Sequence, residues 1–288
     1  MKEQKYIIEN QESFELKDIF ECGQCFRWNK NDDGSYTGIV NKGVLNVEKQ
    51  NEKIIFTGML DGDIKEVVRF YFDLDRNYEE IKMQLSNIDK YLKTSVEYGK
   101  GIRILNQDLW ETIISFIISA NNNIPRIKGI IERISKKYGT EIEWNGEKYY
   151  TFPIPKQLGK ATAEDLRSLG TGFRDIRIYE TTQKVLSGEF NLKEIQKKDT
   201  LSAREELLSL SGVGPKVADC ILLFSTLKRF DVFPIDVWVR RVMNDLYIKN
   251  PDEKKVSNKV INKVAFEKFG DEAGLAQQYL FYWRRSLN

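Results

Sequence analysis

The apolar pattern of this chain changes period once, and that change constrains the fold more than any other feature. Over residues 24–58 the short β-rich segments "CFRWN", "SYTGIV", "GVLNVEK" and "KIIFTG" alternate with "NDDG", "NKG" and "QNE". Such turn-rich spacing predicts hairpins and an antiparallel sheet. After Asp61 the spacing becomes helical: Ile64, Val67, Val68 and Tyr71 fall on one face, as do Ile81 and Leu85. From Gln107 onward the pattern predicts almost only helices, over 108–119, 124–137, 162–169, 174–187, 202–210, 215–227, 236–247, 255–269 and 271–286. The expectation is an α+β chain. A twisted antiparallel β-sheet domain (1–100) precedes a mostly α-helical region (101–288), with the boundary near Tyr98–Gly101.

Composition narrows the chemistry. The chain has no histidine. That removes Ser-His and Cys-His nucleophile pairs, His-bound metals and imidazole proton transfer, leaving Lys, Asp, Glu, Cys or Tyr for any catalysis. Three cysteines are too few for a disulfide framework, and the lone Cys22-x-x-Cys25 pair cannot complete a zinc or iron–sulfur site. No cofactor is called for. There is no apolar run of membrane-spanning length and no apolar leader segment. The expected setting is reduced and intracellular: cytoplasm or nucleoid, or a nucleus in a eukaryote. Net charge is +2, but it is uneven. Residues 1–100 carry 15 basic against 19 acidic groups, and the remainder 30 against 24. The basic excess of the helical part adds a little weight to an anionic partner.

One hairpin concentrates the interest. In "LSGVGPKVADC" (210–220), Ser202-x-x-Glu205 reads as a capping box opening one helix, and Gly212 can end it in a left-handed conformation. Gly214 then caps a second helix and Pro215 suits its first position. This is a helix-hairpin-helix at 202–227. Gly212, Val213 and Gly214 let backbone approach a ligand closely, and free amides at the second helix start suit a phosphate. Such a hairpin grips a nucleic-acid backbone without reading sequence. Lys216 sits where the helix dipole disfavours its charge by about 0.3–1 kcal/mol. A neutral amine there is a nucleophile; a phosphate contact or a solvated lysine is the ordinary alternative. Cys220 lies one turn on, on the same face. Asp219 would oppose the dipole if it pointed inward. In "FPIDVW" (233–238), Pro234 stiffens the approach and Asp236 starts a helix, as a plain N-cap or as a carboxylate assisting beside Lys216.

With the hairpin and "FPIDVW" in view, the chain resembles the helix-hairpin-helix, Gly/Pro/Asp superfamily of DNA glycosylases. "GQCFRWN" (23–29), "SANNNIPRI" (119–127), "LGTGFRDIRIYE" (169–180) and "AGLAQQYLF" (273–281) are similar to the 8-oxoguanine DNA glycosylase/AP lyase branch. That resemblance covers nearly the whole chain in the expected order. It implies a base flipped out of duplex DNA, attack of Lys216 on the sugar C1′, a Schiff base, and β-elimination at the abasic site, with Asp236 in support. It implies a base pocket of Gly23, Cys220, Phe224, Pro234, Gln277 and Phe281, Gly23 acting through its carbonyl. It implies DNA contacts from Asn121, Arg126, Phe173 and Arg174, the partner being duplex DNA with 8-oxoguanine opposite cytosine. A monomer would suffice. The family's hairpin can also hold a cation on backbone carbonyls, here those of Leu208, Leu210 and Val213.

The residues also have plainer readings. Phe224 and Phe281 could be core, Gln277 a solvated helix face, Gly23 a turn, "NNN" an inter-helix turn, and Phe173 packing under its glycine loop. Two departures stand out: Trp238 replaces a His credited with a phosphate contact, and Phe173 replaces the usual Tyr wedge. The competing functions are an alkylated-base glycosylase of the same superfamily, its iron–sulfur branch, or a non-catalytic DNA-binding module. Lys216 argues against the first, the missing Cys cluster against the second, and the Lys216–Asp236 pair against the third.

Overall fold

The structure is a computed structural model that describes residues 2–287. The α+β expectation holds. Strands β1 (Glu3–Glu9), β2 (Trp28–Lys30), β3 (Tyr36–Val40), β4 (Gly43–Gln50) and β5 (Lys53–Met59) form an antiparallel sheet in the order β1-β5-β4-β3-β2. Strand β1 was not expected. Its Tyr6 and Ile8 alternate inward against the sheet core, and Tyr6 pairs with Phe56. The segment from Cys25 is a loop that becomes strand only at Trp28. Helices α1 (Leu16–Phe20) and α2 (Ile64–Tyr71) contribute to the sheet core, which is rich in rings. Phe20 stacks on Trp28 at 4.2 Å between centroids, and the Trp28 Nε1–H donates to the Tyr71 hydroxyl at 2.9 Å.

The helical part comprises α3 (Tyr78–Ile88), α4 (Lys90–Tyr98), α5 (Leu109–Ser119), α6 (Ile124–Tyr138), α7 (Pro155–Leu158), α8 (Ala163–Leu166), α9 (Asp175–Ser187), α10 (Thr200–Leu208), α11 (Pro215–Phe224), α12 (Val237–Met243), α13 (Asn258–Phe269) and α14 (Ala273–Arg285). They enclose one large apolar core. Tyr78, Ile81, Leu85, Leu92 and Val96 of α3 and α4 belong to it, although they precede Tyr98. Two expectations need correction. Helix α10 begins at Thr200, where the Asp199 carboxylate accepts from the Ser202 amide at 2.9 Å, so Ser202 and Glu205 form no capping box. A carboxylate gains from the helix dipole what a hydroxyl does not. The helical region also holds a hairpin, β6 (Glu141–Trp144) and β7 (Glu147–Tyr150), whose Asn145 and Gly146 turn has φ of 53° and 77°. Asn-Gly with both φ positive matches the twist of tight hairpins. Ile142 and Trp144 pack on Val44 of the sheet.

A polar seam joins the two cores. Arg103 is 2% exposed. It donates to the carbonyls of Ser13 and Asp73, each at 2.8 Å, and of Glu12 at 3.2 Å. Gln24 is fully buried. Its amide donates to the carbonyls of Ile19 (2.9 Å) and Arg103 (2.7 Å), and its oxygen accepts from the Leu105 amide at 2.9 Å. Gln107 continues the seam by donating to the carbonyls of Gln24 (2.8 Å) and Phe224 (2.9 Å). Stranding a buried polar group costs about 1–3 kcal/mol. Gln24→Leu leaves the Leu105 amide and two carbonyls without this partner. The expected loss is at least about 1–3 kcal/mol, read as a lower thermal midpoint. An unchanged midpoint would remove Gln24 from the seam.

Candidate active site

The hairpin is held open toward its front by what covers its back. Gly212 has φ of +84°, and a Cβ there would lie 2.9 Å from the Arg177 side chain. Helix α9 also takes the carbonyls of the turn. Thr181 donates its hydroxyl proton to the Ser211 carbonyl at 3.0 Å, and Lys184 donates to that of Ser209 at 3.0 Å. Gly214 is the N-cap of α11 without a side-chain capping bond, and Pro215 follows at the first turn. The first amides of a helix have no partner within it, so those of Lys216 and Val217 lack helical partners beside the exposed Gly214 and Pro215. Among the three carbonyls expected to hold a cation, Leu210 already accepts from the Val213 amide at 3.2 Å. A carbonyl has two lone pairs, so a ligand remains possible there.

Lys216, Cys220 and Asp236 come together at the starts of α11 and α12. Burial pushes the Cys220 thiol up to about 11; Lys216 acts to lower it, while Asp219 and Asp236 act to raise it. Asp236 is the N-cap of α12 and accepts from the Val239 amide at 2.8 Å. The cap fixes its rotamer while its carboxylate stays partly exposed, so the two readings of Asp236 are compatible. Asp219 points away, toward α10, and pairs with Arg204 at 2.6 Å. It therefore braces the two hairpin helices. Sequence reasoning missed Phe116 of α5. Its ring lies 5.3 Å below the Lys216 ammonium and stacks on Phe224 at 5.7 Å with planes 15° apart. Phe224 is accordingly core, behind Phe116.

Of the expected pocket residues, Gln277 and Phe281 share one crevice and Gly23 lies beside Phe281. Gln277 of α14 lines a crevice with Phe233, Val239, Met243 and Phe281 that is closed in this structure, without room for a water molecule. Gln277 is 5% exposed, and its side-chain oxygen is buried without a hydrogen-bond partner among the described residues. The solvated-face reading of Gln277 is thereby excluded. An orphaned acceptor in an apolar crevice suits a ligand that supplies donors. Pro234 is buried nearby in sequence. Gly23 has φ of +91°, and a Cβ there would sit 3.5 Å from the Phe281 ring. A roomier cavity of about 430 Å³, lined by Arg27, Tyr71, Trp110 and Phe152 among others, contains none of these residues; volume does not mark the chemistry here.

The expected wedge stands out from the surface. Phe173 is 54% exposed, and Asn121 (φ 51°) and Arg126 are exposed beside "NNN". Arg174 lies 4.3 Å and Arg177 5.2 Å from the centroid of the Phe173 ring. Arg174 departs from its expected role. It is 2% exposed and donates to the carbonyls of Ala120 (2.9 Å), Asn121 (2.9 Å) and Thr171 (3.1 Å). It shapes the loop rather than facing outward. Burial, then the charges of Arg126 and Arg177, pushes its guanidinium below the ordinary value, which marks a local excess of positive charge. Trp238 is 38% exposed, with Arg241 5.8 Å above its ring.

A lysine at an uncapped helix start, a capping aspartate beside it, an apolar crevice with one orphaned amide oxygen and a cationic rim around an exposed ring define a base-processing DNA enzyme. Residues 114–265 match the model of the HhH-GPD superfamily of base excision DNA repair proteins, and the chain belongs to that superfamily. Residues 6–113 match the 8-oxoguanine DNA glycosylase N-terminal domain, which places it in that branch. The N-glycosylase/DNA lyase of Saccharomyces cerevisiae is 31% identical, over 92% of this chain and 82% of the relative. A probable N-glycosylase/DNA lyase from Methanothermobacter thermautotrophicus is 36% identical, over 77% and 76%. The Clostridium acetobutylicum 8-oxoguanine glycosylase/lyase, solved with duplex DNA containing cytosine opposite 8-oxoG, is 46% identical with a TM-score of 0.94, over 100% of this chain and 98% of that one.

The brace between Arg204 and Asp219 has a testable pH signature. Burial raises the Asp219 carboxyl above its usual value, and Arg204 opposes that rise. Removing Arg204 raises it further. A carboxyl raised in the folded state loses stability as pH rises through that value. Arg204→Met should therefore lose more stability at pH 8 than at pH 5, by denaturant titration; equal losses would mean that Asp219 escapes to solvent.

Proposed function

We infer that this chain is a bifunctional DNA repair glycosylase that excises 8-oxoguanine opposite cytosine from duplex DNA and then nicks the abasic site. The observation that carries the reading is that Lys216 and Asp236, each in the N-terminal turn of its helix, both act on Cys220, in a chain whose Gln277 keeps an orphaned buried oxygen. The uncapped amides of α11 and the cationic rim hold the backbone. The damaged nucleotide is extruded, and Phe173 fills its place in the stack, with Asn121 and Arg126 beside the widowed cytosine. No helix among the described residues is long and apolar enough to cross a membrane. An intracellular site and a monomeric state fit this chemistry.

The crevice is closed in this structure and must open to admit a base; there 8-oxoguanine offers what guanine lacks. Its N7 carries a proton and is a donor, whereas guanine N7 is an acceptor. The Gly23 carbonyl gains a hydrogen bond with the lesion and meets a lone pair with guanine, a contact worth about one to two decades. Gln277 supplies its oxygen to the donors of the Watson–Crick edge, while Cys220 and Phe281 bracket the ring. The Lys216 amine then attacks C1′. The C1′–N9 bond breaks, and the base leaves with the electron pair and takes up a proton. Asp236 stabilises positive charge developing on the sugar and helps to receive the Lys216 proton. Ring opening gives a Schiff base between Lys216 and C1′. Loss of a C2′ proton expels the 3′ phosphate as leaving group, and hydrolysis of the imine frees the enzyme.

Borohydride reduces such an imine to a stable amine. On a duplex with 8-oxoguanine opposite cytosine, the wild type should give a covalent protein–DNA band. Lys216→Gln should give none and no cleavage, with duplex binding within a few-fold; normal cutting by that variant would sink the assignment. Free 8-oxoguanine released without any band would instead name water as the nucleophile. Asp236→Asn should slow base release by about 10²-fold or more, the usual scale for an electrostatic or general-base group. An unchanged single-turnover rate would take Asp236 out of the chemistry.

A further inference from the structure

Helix α14 does more than line the pocket. Its Gln277 and Phe281 face the crevice, but Gln278 projects about a third of a turn away. Gln278 is 2% exposed and donates its side-chain amide to the Cys22 carbonyl at 2.8 Å. One residue earlier, the Glu21 carbonyl accepts from Arg285 of the same helix. Two residues later, Gln24 is locked into the seam. The carbonyls just before Gly23 are thus tied to α14, and the side chain just after it to the segment 103–105. Gly23 alone is left with a left-handed φ of +91° and no side chain to anchor.

We propose that Gln278 is a positioning residue for lesion discrimination: it sets the plane of the Cys22 peptide and, through it, the direction of the Gly23 carbonyl relative to Gln277 and Phe281. This rests on the reading that the Gly23 carbonyl senses the N7 proton. The geometry makes one rigid element responsible for both edges of the base. Gln277 meets the Watson–Crick side directly. Gln278, the next residue, holds the loop that meets the opposite side. Any tilt of α14 moves both together, so their separation is preserved. Without the Gln278 donor, the Cys22 carbonyl is a buried acceptor free to turn, and the peptide that leads into Gly23 turns with it. The crevice would keep its shape while losing the sense of one hydrogen bond.

The test measures binding without chemistry, in the Lys216→Gln background of the full chain. Duplexes carry 8-oxoguanine or its 7-deaza analogue, in which N7–H becomes C–H, each opposite cytosine. With Gln278 present, the 8-oxoguanine duplex should bind about tenfold tighter than the analogue, the net scale of one hydrogen bond. Gln278→Met, which keeps the shape and loses the donor, should bring that ratio to within about twofold of unity. In the background that retains Lys216, the same substitution should leave cleavage of a preformed abasic duplex within about twofold, because no base is read there. Gln278→Ala gives the same comparison should Met perturb folding. An unchanged ratio overturns the proposal. So does equal weakening for both duplexes, or a matching fall in abasic-site cleavage, since each marks a merely structural residue. If the ratio is already near one with Gln278 present, the Gly23 reading itself fails, and the proposal falls with it for that separate reason.

Discussion

A buried guanidinium, Arg103, is the tie on which the arrangement depends. It draws the chain before α1, the chain after α2 and the entry to α5 onto one point, through three carbonyls and the face of Tyr78 at 4.7 Å. Each carbonyl sits where irregular backbone would otherwise be buried without a donor. A planar cation with five donors is suited to satisfying several such groups at once. The consequence reaches the site. The segment carrying Gly23 leaves α1 and must cross from the sheet to the helices, and its register against α14 is set by the same seam. The sheet contributes little chemistry of its own, but it delivers Gly23 to the edge of a crevice built by the helical part.

The hairpin shows a similar division between bracing and function. Its back is saturated: α9 donates to the turn carbonyls, and Arg204 pairs with Asp219 across α10 and α11. Its front is left bare, because Gly214 brings no side chain and Pro215 no N–H. A helix start without a side-chain cap costs stability, and here it also keeps amides and dipole available to an anion. Lys216 stands at that boundary, above the Phe116 ring and close to Cys220, which Asp236 also influences. A flat aromatic floor limits where its chain can go without donating a hydrogen bond.

Much of this was legible in the residues, for reasons that can be stated. The period change at Asp61 separated sheet from helices, and Gly212 to Pro215 gave the hairpin, since such positions have few alternative readings. Lys216, Asp236, Gln277 and Phe281 were singled out by motif; the charges of Lys216 and Asp236 both reach Cys220, and Gln277 and Phe281 line one crevice. What escaped was tertiary. Strand β1 is more than half polar, and its partner β5 is more than forty residues away. Asn145-Gly146 was a turn signal hidden inside a helical expectation. The capping box failed because Asp199, three residues earlier, offered a better oxygen. Phe116 lies in no quoted motif, and Gln24 and Gln278 sit in motifs whose expected roles fell on their neighbours Gly23 and Gln277. Their roles arise from which carbonyl or ring folding brings within reach.

Arg174 and Phe173 show why neighbours in one motif can divide its work. An exposed phenyl ring is costly in water, and a loop that displays one must be prevented from folding it inward. Arg174 does so from within: its guanidinium is fixed by the carbonyls of Ala120, Asn121 and Thr171 and lies 4.3 Å from the Phe173 ring. Arg177 approaches the same ring at 5.2 Å while its aliphatic part packs where Gly212 lacks a side chain. The wedge and the hairpin are therefore mechanically linked through one arginine. Arg177 thus sets the spacing between the Phe173 ring and the hairpin turn, which is why a glycine at 212 serves the placement of that ring as well as the turn.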